Sequence, residues 1–168
     1  MFKKIILAIA LALPMSVFAQ KFATVDLDQV FQSMPETTAM QTQLNEASKS
    51  YETEFAKLRE ELDKLFADYQ TIADDANTPQ SIKERRIQEI QERSNKVEQF
   101  RNTAQQDLNK LSEQLAMPIQ QKMQEAIKTV GQEGGYTFIF PNEQGLILYK
   151  GADVTDITAD VKAKLGIK

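Results

Sequence analysis

Residues 40–72 read MQTQLNEASKSYETEFAKLREELDKLFADYQTI, with apolar members at Met40, Leu44, Ala47, Tyr51, Phe55, Leu58, Leu62, Leu65, Tyr69 and Ile72. The intervals are four, three, four, four, three, four, three, four and three, a heptad seam with one stutter near Phe55. A helix that faces a globular core needs a broad apolar face. A stripe this narrow, bordered by Glu, Lys, Gln and Asp, suits a coiled coil that buries one seam and leaves the rest in water.

The pattern breaks at Asp74-Asp75-Ala76-Asn77-Thr78-Pro79. Thr78 is expected to cap a new helix with Pro79 in its first position, and Ser81 with Glu84 offers a second capping box. The returning stripe is Ile87, Ile90, Val97, Phe100, Ala104, Leu108, Leu111 and Leu115, up to Pro118, which interrupts helical hydrogen bonding. Glu36 to Ala73 and Pro79 to Ala116 are equal in length, 38 residues or about 57 Å each. Two equal amphipathic helices joined by the five residues 74–78 predict an antiparallel helical hairpin. Arg86 and Ser94 fall at or beside seam positions, so the tip is expected to be loosely held and mobile.

Outside the arms the grammar changes. Phe22-Ala23-Thr24-Val25 reads as a strand, followed by a short helix capped by Asp28 and carrying Val30, Phe31 and Met34. Ile119 to Val130 continues helical until the glycines at 131, 134 and 135. Tyr136 to Phe140 and Leu146 to Tyr149, separated by Pro141-Asn142-Glu143-Gln144-Gly145, read as a β-hairpin. Asp156 should cap a last helix with Ile157, Val161 and Leu165 on one stripe, ended by Gly166. The fold class is therefore α+β, mostly α: a long antiparallel coiled-coil hairpin, 36–116, projecting from a small β-containing body made of 20–35 and 117–168. A body this small is near the lower limit for an independent core, and arms in water cannot help it. Self-association would complete it, with the strands and the Ile119 to Val130 segment shared across subunits. Phe22, Val25, Ile119, Phe138, Phe140, Leu146 and Leu148 are the candidate oligomerisation residues.

Of 168 residues none is Cys, His or Trp. That removes Ser-His-Asp and Cys-His relays, soft-ligand metal sites and disulfides. Residues 1–19 have two lysines, an apolar run from Ile5 to Leu13, and Val17-Phe18-Ala19 at the end, the pattern of a cleavable export signal cut between Ala19 and Gln20. Its removal takes Lys3 and Lys4 and leaves 18 basic against 24 acidic groups, a net charge of −6. Nucleic acid is thereby an unsuitable partner.

The opening Phe22-Ala23-Thr24-Val25-Asp26-Leu27-Asp28-Gln29-Val30-Phe31 and the closing Asp153-Val154-Thr155-Asp156-Ile157-Thr158-Ala159-Asp160-Val161 frame the hairpin. In this combination the chain resembles the Skp/OmpH family of periplasmic chaperones over essentially its whole length beyond the signal. The resemblance implies a jellyfish-shaped homotrimer, three helical tentacles around a cavity, holding unfolded outer-membrane β-barrel proteins without ATP until they reach the insertion machinery. The sequence carries no Gly-x-x-x-x-Gly-Lys-Ser/Thr loop, in keeping with that. It departs in charge: well-known members are basic and this chain is acidic, so capture of acidic clients or of lipid and lipopolysaccharide is not implied.

Diffuse client contact is expected at Phe66, one step off the seam, at Tyr69, and at the basic group Lys83, Arg85 and Arg86 near the tip. Solvated helix faces and coiled-coil packing account for most of these residues more simply. Asp26 with Asp28, and Asp74 with Asp75, are read as caps and turns rather than cation ligands, so no metal or cofactor is expected. Paired carboxylates on solvated helices build no rigid glycosidase cleft, and an enzyme is not expected. The competing reading is a structural coiled-coil scaffold or spacer of the envelope.

Overall fold

The computed structural model describes residues 20–143 and 145–167, so the signal segment and its Ala19 junction lie outside the described residues. The elements are β1 (Phe22–Val25), α1 (Leu27–Ser33), α2 (Pro35–Ala73), α3 (Gln80–Gly134), β2 (Phe138–Pro141), β3 (Thr155–Asp156) and α4 (Thr158–Lys164).

The hairpin arm is formed by α2 and α3. Pro35 stands in the first turn of α2, where a missing N–H costs nothing. The turn is built differently from the expected cap. Thr78 donates its hydroxyl to Asp75 Oδ2 at 2.7 Å instead of capping α3, and the backbone N–H of Asn77 donates to Asp75 Oδ1 at 3.0 Å. Pro79 sits at the N-cap without a side-chain bond. Helix α3 does not stop at Pro118 but runs through it to Gly134, where Gly135 takes the left-handed conformation, φ 65°, that closes a helix.

The sheet is three-stranded, in the order β2-β1-β3, and both pairings are parallel. Phe22 to Val25 lie opposite Phe138 to Pro141, and Ala23 and Thr24 opposite Thr155 and Asp156. This corrects the expected β-hairpin. Phe138 to Pro141 is a strand, but Leu146 to Tyr149 is not one; its chain enters by a turn in which Leu146 N donates to Glu143 O at 3.2 Å. Strand-forming residues signal an extended chain and not its partner, and here β1 takes the partner role from 113 or more residues away. Asp26, not Asp28, caps α1, accepting from Gln29 N at 2.8 Å. Asp156 serves the start of α4, its Oδ1 accepting from Thr158 N at 3.0 Å.

Two apolar clusters result. The body cluster joins Ala23 and Val25 of β1, Val30 and Met34, the Ile119, Met123, Ala126 and Val130 stripe of α3, and Ile157 and Val161. The arm cluster joins Leu58 and Leu62 of α2 to Ile90 and Val97 of α3, with Phe55, Leu65, Tyr69 and Phe100 packed around them.

Candidate functional site

Helix α3 descends the arm seam through Arg86, Ile90, Arg93, Val97, Phe100 and Ala104 rather than through Ile87, which is 48% exposed. Two arginines thus occupy positions where a coiled coil usually buries aliphatics. Each finds a carboxylate: Arg86 pairs with Glu89 at 2.6 Å, and Arg93 reaches across the arm to Glu61 at 2.8 Å. Lower down, Tyr51 packs on Phe100 with ring centroids 6.0 Å apart and donates its hydroxyl to Asp107 at 3.2 Å. Burial, then Asp107, pushes the Tyr51 phenol above its ordinary pKa.

The expected client contacts divide. Phe66 is 45% exposed, while Tyr69 packs into the arm cluster. Of the tip cations, Lys83 donates to the Ala73 carbonyl at 2.7 Å and so closes the end of α2, and Arg85 and Arg86 share Glu89. The local basic patch is therefore largely engaged within the arm. Ile82 and Ile87 are the exposed aliphatics of this end.

At the foot of the arm, Lys122 of α3 pairs with Glu36 in the first turn of α2. That hydrogen bond is the main reason the Glu36 carboxyl is held below the usual range.

One face of the sheet is covered by the helices; the other carries Phe22, Phe138 and Phe140. Phe22 stacks on Phe138 at 6.2 Å and Phe138 on Phe140 at 6.1 Å. Phe22 and Phe140, with Leu146, Ile147, Leu148 and Tyr149, line a shallow apolar cavity of about 400 Å³. Phe138 is 57% exposed and Leu148 96%, so this is a large apolar surface outside the core. Val25 and Ile119 do not contribute to it. Both are buried in the chain's own core.

The closing motif acts as a lock on β1. Asp26 N donates to Thr158 Oγ1 at 2.9 Å, Thr158 Oγ1 donates to Asp156 Oδ1 at 2.6 Å, and Lys150 Nζ donates to Thr24 Oγ1 at 2.8 Å. The Thr158 bonds hold the Asp156 carboxyl below its ordinary pKa. Sequence reasoning saw Asp156 as a cap and missed Thr158 and Lys150; a hydroxyl two residues after an Asp at a helix start is the available signal. Among the described residues no group of Asp and Glu is arranged to hold a metal ion, and no helix is long and apolar enough to cross a membrane.

The sequence model of the family described as outer membrane protein (OmpH-like) matches residues 21–165. The chaperone protein Skp of Yersinia enterocolitica is 29% identical over 160 residues, covering 92% of each chain. A crystal structure of an OmpH-like outer membrane chaperone from Caulobacter crescentus CB15 superposes with a TM-score of 0.71 at 16% identity, over 87% of this chain and 83% of that one; at such identity it speaks for the fold alone. Family match, whole-length relative and the arm-on-body architecture agree, and this chain belongs to the OmpH-like family of Skp-type chaperones.

Proposed function

We propose that the protein is an ATP-independent periplasmic holdase that keeps unfolded outer-membrane proteins from aggregating in a cavity between helical arms. The observation that carries this reading is the second apolar cluster, Leu58, Leu62, Ile90 and Val97, set well out along a two-helix arm that has no third layer. Such an arm buries one seam and can bend at small cost, so a cavity bounded by arms admits clients of several sizes. Exposed apolar side chains on it, Phe66, Ile82 and Ile87, supply weak dispersed contacts. The oligomer is a homotrimer built through the Phe22, Phe138 and Phe140 face with Leu146 and Leu148. This apolar surface would otherwise stand in water. Export by cleavage after Ala19 delivers the chain to the periplasm. Handover to the insertion machinery completes its task, and neither nucleic acid nor cofactor takes part.

The test is direct. A urea-unfolded outer-membrane β-barrel is diluted into buffer without nucleotide, with and without the mature chain, and light scattering is followed. The reading requires scattering to be suppressed at one trimer per client. A rise unaffected by excess trimer overturns it and leaves the envelope spacer. Sedimentation of the same sample reports the trimer independently.

A further inference from the structure

The arm changes character at its foot. Below Pro118, α3 is anchored in the body by Ile119 and Met123, and α2 by Thr37. Above it, neither helix has a buried residue until Ala104 on α3 and Leu58 on α2. Pro118 lacks an N–H, so the carbonyl of Gln114 has no donor one turn on, and this weakens α3 at that level. The helices are also parted there by a cavity of about 320 Å³ between Ala39, Met40, Gln43 and Leu115, Pro118. Lys122 lies one turn below Pro118 on the same helical face and pairs with Glu36 of α2 across this gap. The second Glu36 carboxylate oxygen is enclosed and has no donor, so Lys122 is the carboxylate's side-chain partner.

We propose that Pro118 is the pivot of the arm and that the Glu36–Lys122 pair is a clasp that sets its angle to the body. A partly exposed ion pair contributes modestly. That is the right scale for biasing a population of arm angles where no buried side chain fixes one. Loss of the clasp leaves the body core untouched, since Ile119 and Met123 are held by other contacts. The inference concerns arm geometry and stands whether or not the arms bound a client cavity.

The absence of cysteine lets labels be placed at will. Spin labels at Ala76→Cys in the tip and Ala159→Cys in α4 report the tip-to-body distance within one subunit when labelled chain is diluted into excess unlabelled chain. Glu36→Gln and Lys122→Met should each widen the distance distribution, by roughly twofold for an opened joint. High salt should widen the unsubstituted protein's distribution and leave those of the two variants unchanged. The exchanged pair Glu36→Lys with Lys122→Glu should narrow it again, and Pro118→Ala added to Lys122→Met should suppress the widening. Unchanged widths in both single variants, or an exchanged pair as wide as either, overturn the clasp. Widening that persists in full with Pro118→Ala overturns the pivot. Far-UV circular dichroism of every variant confirms an intact helical content.

Discussion

The body and the arm use the same apolar residue types to different ends. In the body, Val30, Ile157 and Val161 are fully enclosed, covered by a sheet on one side and helices on the other. In the arm, Leu58, Leu62 and Val97 keep 4–8% of their surface, because two helices can cover a side chain from two directions only. The first arrangement specifies one structure through close packing; the second specifies a rod while leaving it compliant. The two are joined by α3, whose single run of residues serves as seam above Pro118 and as core stripe below it.

The largest expected effect separates these two cores. Ile157→Ala should cost about 2–5 kcal/mol, since this side chain is enclosed on all sides and its surroundings can collapse little around the loss. Leu62→Ala should cost about 1–2 kcal/mol, less than a fully enclosed leucine, because the arm helices can close up and water already reaches the site. Urea denaturation of both variants measures the difference, and hydrogen exchange should show the Leu62 loss confined to arm amides. Equal costs would mean that arm and body unfold as one unit.

The second prediction uses pH and bears on the body alone. The folded Asp156 carboxyl titrates below its unfolded value, so its contribution is present above the unfolded pKa and is lost as pH falls through the folded one. Acidification should therefore loosen β3 and α4. Asp156→Asn should remove that part of the acid sensitivity and cost about 1 kcal/mol at neutral pH, discounted for the exposure of the group. Stability measured against pH for both proteins checks it.

Third in size is Tyr51→Phe, which keeps the stacking on Phe100 and removes only the bond to Asp107. A loss of about 0.5–1 kcal/mol is expected in arm stability, with none in the body.

Heptad spacing was enough to show two long helices with a break between them at residues 74–79, because a seam is a property of one helix and can be read along it. The sheet was not legible in the same way. Phe138 to Phe140 announces a strand, but nothing local says that its partner is Phe22 to Thr24 in parallel rather than Leu146 to Leu148 across a turn. Parallel pairing is decided by the path of α2 and α3 between the strands. Within the arm, Ile87 drew the stripe one residue off, since hydrophobicity alone cannot reveal that Arg86 and Arg93 lie on the seam with acids to receive them. The exposure of Phe66 was legible from its step off the stripe. The engagement of Lys83 with Ala73 depends on the closed turn and has no sequence signature.

The smallest predicted effect concerns that missed pairing. Arg93 and Glu61 form an ion pair between the two arm helices, with side chains 32% and 53% exposed. An exposed pair contributes little in net energy, so a double-mutant cycle with Arg93→Met and Glu61→Gln should give a coupling of about 0.2–1 kcal/mol. Its specificity is a separate quantity. Sliding α3 by one heptad would place Arg86 or Phe100 where Arg93 now stands, and leave Glu61 facing a different partner. Arg93→Met should therefore leave arm stability nearly unchanged while broadening the amide spectra of residues near Glu61, as registers come to exchange. Glu61→Arg, which sets two cations face to face, should do so more strongly. Sharp, single resonances in both variants would show that the arm's register is set by Tyr51, Phe100 and the turn, and the seam arginines would then be tolerated rather than used.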